Sequence, residues 1–274
     1  MSDGNGAGTP KQRDIFAVER RETIRRLVSE RGRVRTSELA QLLDVTDVTI
    51  RKDITELENQ GLLVRAHGGA VARGPMAEVA VTERENRNLA EKRAIARACC
   101  DLLRPGDSVF LDGGTTQHEI ARVLAGDGQA RQQPTIKILT NSFTIAEICQ
   151  AIQPDPPVVL GGRYRPHSGV FVGPITISTL QQFRVDIAFI GVTGITEHGF
   201  CVADVSEAAI KREAIQRAQR TVVAMDHSKV GLSDFINICP ISAVDTVVTD
   251  RDDDVLAGWL GQAAVEMIVA GPST

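Results

Sequence analysis

Early in the chain, apolar positions recur with a helical period. Between Glu19 and Glu30, Ile24, Leu27 and Val28 fall at i, i+3 and i+4 among charged neighbours, which predicts one amphipathic helix. Gly32 is placed to end it, and Arg33-Val34-Arg35 to extend. Thr36 or Ser37 then starts a second helix whose Leu39, Ala40, Leu42 and Leu43 point inward. After a turn at Asp44-Val45, Thr46 caps a third helix reaching Gln60, with Val45, Ile50, Ile54 and Leu57 on its buried side. Gly61 stops that helix, Leu62-Leu63-Val64 begins a strand, and His67-Gly68-Gly69 turns tightly into Ala70-Val71. Two short helices joined by a tight turn and followed by an apolar hairpin predict a winged helix-turn-helix over 17–72.

Beyond a mixed-charge stretch over 73–91 that contains Gly74-Pro75 and reads as a linker, the pattern changes. Short apolar runs alternate with helical segments: 109–111, 136–139, 158–160, 187–190, 221–225 and 246–248. Such alternation predicts an α/β domain over 92–274, with a mostly parallel sheet covered on both faces. Small and polar residues follow each of the first five strands. They are Asp112-Gly113-Gly114-Thr115-Thr116, Thr140-Asn141-Ser142, Gly161-Gly162, Gly191-Val192-Thr193-Gly194 and Asp226-His227-Ser228-Lys229. The carboxyl ends of parallel strands are where open α/β sheets bind ligands. Glycines there let the backbone approach, and threonine hydroxyls with helix-start N–H groups suit a phosphate.

Composition narrows the field. Apolar residues make up 42% and charged residues 24%, an ordinary globular balance, and no apolar run is long enough for a membrane helix. The first 16 residues lack the apolar core of a signal peptide and read as a disordered tail. Aromatics at 4% are too scarce for base-stacking platforms. Cys99, Cys100, Cys149, Cys201 and Cys239 form no C-x-x-C pair, and the histidines lack metal-site spacing, so neither a metal nor a cofactor is expected. The net charge of −4 is uneven, with a slightly basic head on an acidic body.

The outward face of the third helix points to nucleic acid. Asp47, Val48, Thr49, Arg51, Lys52 and Thr55 gather cations and hydroxyls near the helix start, where a recognition helix meets base edges. The stretch from Arg20 to Val71, with its ELA, VTIRKD, LE-x-x-G and R-x-HGGA motifs, closely resembles the DNA-binding domain of the DeoR family of sugar-catabolism repressors. The resemblance implies a helix-turn-helix over Val34 to Asp53, with Thr36 and Thr46 at helix starts and Arg65 and His67 in the wing. Lys52 stands where the family commonly has arginine, which leaves a phosphate contact but no bidentate fork.

The resemblance continues through LDGGTT, LTNS, LGGRYRPHSGVFVG, DIAFIGVTGI, EAAIKR and D-x-SK. It implies a sensor domain similar to ribose-5-phosphate isomerase that binds a sugar phosphate. Asp112, Gly113, Gly114, Thr115, Thr116, Thr140, Asn141, Ser142, Gly161, Gly162 and Gly191 would line the pocket, and Lys211 and Lys229 would be ligand cations. A carboxylate repels phosphate, so Asp112 is expected on a sugar hydroxyl, with Thr115 and Thr116 holding the phosphate. The rival is a sugar-phosphate isomerase carrying a DNA-binding domain, with Asp112, Asp204 or Glu207 as base. It is disfavoured because GVTGIT has no acid before Glu197, where those isomerases carry a carboxylate pair. The expectation is therefore a cytoplasmic regulator, not an enzyme, that binds double-stranded operator DNA as a homo-oligomer, dimer or tetramer. Whether the effector releases or strengthens binding is left open.

Overall fold

A first helix, α1 (Pro10–Arg31), leads into β1 (Arg33–Arg35), α2 (Thr36–Leu42), α3 (Asp47–Asn59), β2 (Leu63–Ala66) and β3 (Gly69–Ala72). The computed structural model describes residues 10–59, 62–66, 68–72, 81–126, 135–150 and 156–271, and its contacts divide the chain into units 1–77 and 78–274. Part of the expected tail is helical, because α1 begins at Pro10, whose fixed φ and missing N–H suit a first helical turn. Ile24, Leu27, Val34, Leu39, Ile50, Ile54, Leu57 and Leu63 close one core, whereas Leu42, expected inward, is exposed. The strands pair antiparallel in the order β1-β3-β2. Gly69 is required here, since a Cβ would stand 2.0 Å from the Val34 carbonyl oxygen of β1.

One buried charge holds this unit together. Asp53, on the inner side of α3, accepts from Arg20 Nε at 2.5 Å and Arg20 Nη2 at 3.2 Å. The fork ties α1 to α3.

The second unit opens with α4 (Val81–Glu85) and α5 (Leu89–Cys100), so the stretch expected as linker is packed structure from Val81 onward. Then come β4 (Ser108–Leu111), α6 (Thr115–Leu124), β5 (Lys137–Thr140), α7 (Phe143–Cys149), β6 (Val158–Val159), the hairpin β7 (Arg163–Arg165) and β8 (Val170–Val172), and α8 (Pro174–Leu180). The chain ends with β9 (Val185–Ile190), β10 (Gly194–Thr196), β11 (Gly199–Val202), α9 (Val205–Arg217), β12 (Ala218–Ala224), β13 (Ile236–Cys239), β14 (Thr246–Thr249), α10 (Asp254–Gln262) and β15 (Glu266–Val269). Seven strands form one sheet in the order β15-β14-β12-β9-β4-β5-β6, and every pairing is parallel. Alternation sends Val109 and Leu111 to the side of α5, α6 and α7, and Phe110 to the side of α8, α9 and α10. A small antiparallel sheet, β10-β11-β13, sits apart from the main one.

The Arg20–Asp53 fork yields a stability test. Asp53→Ala leaves a partly buried guanidinium unpaired and is expected to cost the head about 1–3 kcal/mol. Far-UV circular dichroism should show a lowered head transition. Fluorescence of Trp259, the only tryptophan, on α10 of the second unit, should be unmoved. An unchanged head transition would remove the fork's structural role.

Candidate functional site

In the head, α3 divides its residues cleanly. Ile50, Asp53, Ile54 and Leu57 are buried, while Asp47, Val48, Arg51 and Lys52 face solvent, Val48 at 74% exposure. Thr46 caps the helix, its Oγ1 accepting from Thr49 N–H at 3.3 Å and lying 3.0 Å from Thr49 Oγ1. Thr55 Oγ1 donates to the Arg51 carbonyl at 2.8 Å, so that hydroxyl serves the helix. Thr36 is buried, its N–H donating to the Gly68 carbonyl at 2.8 Å, and so presents no side chain outward. Arg65 is exposed on β2, with its backbone N–H bound by Glu58 Oε1 at 3.0 Å. His67 lies outside the described residues.

In the second unit, the expected ligand loops converge at the carboxyl edge of the sheet, but several of their polar groups are already engaged. Asp112 Oδ2 accepts from Gly191 N–H at 3.0 Å and from Lys211 Nζ, which arrives from α9. Both side chains are about 3% exposed. Lys211 is therefore not a free cation: its charge is spent on Asp112, and the pair joins β4, β9 and α9. Thr140 Oγ1 donates to the Leu111 carbonyl at 2.7 Å and accepts from Ser142 N–H at 3.0 Å. Ser142 caps α7, and Asn141 Nδ2 donates to the Phe171 carbonyl of β8 at 3.1 Å. Thr176 Oγ1 donates to the Gly161 carbonyl at 2.9 Å, and a Cβ on Gly162 would meet that hydroxyl at 2.1 Å. Gly113 is held as glycine by Val170, whose Cγ1 lies 2.0 Å from where a Cβ would sit.

What these contacts leave open is the start of α6. Gly114 precedes it with no side-chain cap, so first-turn N–H groups beside Thr115 and Thr116 keep their affinity for an anion. Beside this helix lies a cluster in which Asp226 and Lys229 meet residues that the sequence did not single out. Lys92 of α5 is buried and donates to the Arg84 carbonyl at 2.6 Å. Burial lowers its pKa to about 8 against the pull of Asp226, while Lys229 and Arg84 push it further down. Lys229 is crowded by protein yet retains some solvent access; burial lowers its pKa too, partly offset by Asp226. Asp226 Oδ1 accepts from Asn88 Nδ2 at 2.9 Å and from Ser228 N–H at 3.1 Å. Glu119 is already shared by Arg93 and Arg122. Lys92 and Lys229 thus share Asp226 as their nearest acid in common.

His118, in the second turn of α6, faces the same cluster. Both its ring nitrogens are buried without a hydrogen-bond partner, although Glu85 of α4 stands 3.5 Å from Nδ1. Burial, then Arg122, Arg84 and Lys92, hold its pKa down to about 4. Residues 81–92 thus form a strap over this edge: Val81 N–H donates to the His167 carbonyl at 2.9 Å, Glu85 faces His118, and Asn88 holds Asp226. The carboxylates of the enzyme reading have other partners. Asp204 caps α9, and Arg165 binds Asp204 at 3.2 Å and Glu207 at 3.3 Å. No helix among the described residues is long and apolar enough to cross a membrane.

Comparison with known proteins agrees with both halves. Residues 20–74 match the model of the DeoR-like helix-turn-helix domain, and residues 87–251 that of the DeoR C-terminal sensor domain. A protein of Escherichia coli O157:H7 named for transcriptional repression of the aga operon is 33% identical over 99% of this chain and 100% of its own. The glycerol-3-phosphate regulon repressor of Escherichia coli K12 is 32% identical over 87% of this chain and 92% of its own. The lactose phosphotransferase system repressor of Staphylococcus aureus N315 is 30% identical over 86% and 93%. Ribose-5-phosphate isomerase A of Methanocaldococcus jannaschii overlays 52% of this chain and 55% of its own, with 20% identity and a TM-score of 0.38.

His118 makes stability depend on pH. Its folded pKa of about 4 lies below the ordinary 6.5, so the unfolded chain takes up the proton first as pH falls. Stability is full above about 6.5 and is lost towards 4, by on the order of 3 kcal/mol. Urea unfolding followed by Trp259 should show this loss in the wild type and a smaller one in His118→Gln; equal losses would exclude His118 as the cause. With both its domains matched and whole-length relatives above 30% identity, the chain belongs to the DeoR family of transcriptional repressors.

Proposed function

We propose that this chain represses genes of sugar metabolism, that α3 of its head reads operator DNA, and that a sugar phosphate at the carboxyl edge of the parallel sheet controls that reading. One observation carries the DNA half. Arg51 and Lys52 project from α3 with no side-chain hydrogen bond or ion pair among the described residues, while the opposite face supplies the core. Cations with no folding task on a helix of this kind suit phosphate and base contacts. Arg65 of the wing adds a third.

For the effector, the cations Lys92 and Lys229 together with the uncapped start of α6 favour a phosphate. Relatives named for glycerol-3-phosphate and lactose phosphotransferase repression support a phosphorylated, hydroxyl-rich ligand. Thr115, Thr116 and Asn141 are buried, so a ligand reaching them must shift a neighbouring segment, of which the strap over 81–92, beside His118 of the same helix, is the candidate. That strap continues in sequence to the head, which gives the ligand a route to bias operator binding, typically by ~1–3 kcal/mol. Catalysis is not part of the proposal, because Asp112, Asp204 and Glu207 are each held by a cation. Paired half-sites ~34 Å apart call for two heads, hence a homo-oligomer, dimer or tetramer, working in the cytoplasm where operator DNA is.

The double variant Arg51→Ala, Lys52→Ala tests the assignment on an operator selected from random duplexes with the wild-type chain. Affinity should fall at least tenfold and the salt dependence flatten by roughly one to two phosphate contacts. Unfolding read at Trp259 and by circular dichroism should not change. Wild-type affinity in the double variant would overturn the recognition-helix reading.

A further inference from the structure

Gln117 lies in the first turn of α6, 1% exposed, and its side-chain amide is fitted between two glycines. A Cβ would stand 2.7 Å from its Oε1 if built on Gly114, and 2.8 Å if built on Gly191. The amide thus lies against the backbone of two separate loops. Yet Gln117 Nε2, fully enclosed, has no hydrogen-bond partner. Leaving such a donor unpaired is costly, and roughly nine in ten buried polar groups avoid it. A methionine would fill the same space without that cost. A fold that retains the amide retains it for something outside the chain.

A second orphan lies along the same strand ends. Asn141, also 1% exposed, commits its Nδ2 and its backbone carbonyl to Phe171, and its Oδ1 is buried without a partner. A chain of close approaches connects the two. Where Gly191 would carry a Cβ, the Gly113 carbonyl oxygen is 3.1 Å away; where Gly113 would carry one, Ser142 Cβ is 3.9 Å away. An unused donor and an unused acceptor at neighbouring strand ends each suit a hydroxyl, the group that can accept one hydrogen bond while donating another.

We propose that Gln117 and Asn141 read the hydroxyl pattern of the ligand: Gln117 Nε2 donates to one hydroxyl oxygen, and Asn141 Oδ1 accepts from a hydroxyl group, of a phosphorylated polyol or sugar. The inference rests on the sugar-phosphate reading above and adds to it the residues that distinguish one sugar from another. Neither is a charge, so together they select without adding to the pull on phosphate.

The test uses the full chain, with triose, pentose and hexose phosphates, their single-deoxy analogues and inorganic phosphate as probes, read by calorimetry and thermal shift. In Gln117→Met, the sugar phosphate that binds the wild type should bind about tenfold or more weakly, and inorganic phosphate within twofold of the wild type. The deoxy analogue lacking the hydroxyl read by Gln117 should bind the wild type and Gln117→Met alike. Ligand-free Gln117→Met should melt at or above the wild-type temperature, because an unpaired donor has been removed. Gln117→Glu keeps the size but loses the donor, and should also lose the sugar phosphate. A lowered melting temperature in ligand-free Gln117→Met would mean that the amide serves the fold, and unchanged sugar-phosphate affinity would mean that it serves no ligand; either result overturns the inference. If no sugar phosphate shifts the wild type, the underlying reading fails, and this inference with it. That outcome is recognised before any variant is compared.

Discussion

The buried pair of Asp112 and Lys211 fixes the geometry on which the sensor unit depends. It sits where β4, β9 and α9 meet, and the same carboxylate oxygen also receives the Gly191 N–H. Enclosing two opposite charges adds little net stability against a well-packed apolar pair, but losing one partner strands the other. The pair therefore acts as a constraint on where the strand ends can go. Around it the loops are forced to be glycine: Gly113 by Val170, Gly191 by Gln117 and the Gly113 carbonyl, Gly162 by Thr176. A second group of charges, Lys92 and Lys229 around Asp226, lies apart from this pair.

That separation organises the chemistry of the edge. Neutral amides, Gln117 in the first turn of α6 and Asn141 after β5, carry atoms without a partner near a closed ion pair. The same uncapped helix start has cations and residues 81–92 beside it. A molecule with a hydroxyl-rich body and an anionic end complements both. The head uses a similar economy of charge, since Asp53 is spent inward on Arg20 while Arg51 and Lys52 remain outward.

The main sheet was largely legible in the sequence because its strands are buried on both faces and read as apolar runs; all six expected runs lie in the parallel sheet. What escaped were elements without such a signature. The strand β15 follows a glycine-containing helix and exposes both ends, and β10, β11 and β13 are three- or four-residue strands whose partners are set by tertiary packing. The helix α4 is five residues long and follows a glycine-proline stretch. Asp112, Gly113 and Gly191 were legible from their place after strands. Lys92, Gln117 and His118 were not, because a buried polar residue on an amphipathic helix has the same local pattern as an exposed one. Lys211 was expected as a ligand cation, but its partner proved to be Asp112, a pairing across 99 residues that no local pattern encodes.

The central claim is that one chain couples a sugar phosphate at the sheet edge to operator DNA at the head, and thermodynamic reciprocity tests it directly. Operator affinity is measured by fluorescence anisotropy with and without a saturating sugar phosphate, and sugar-phosphate affinity by calorimetry with and without saturating operator. The account predicts that both affinities change, in the same direction and by the same factor, within roughly 5–150-fold. A sugar phosphate that binds the chain but leaves operator affinity untouched would contradict it.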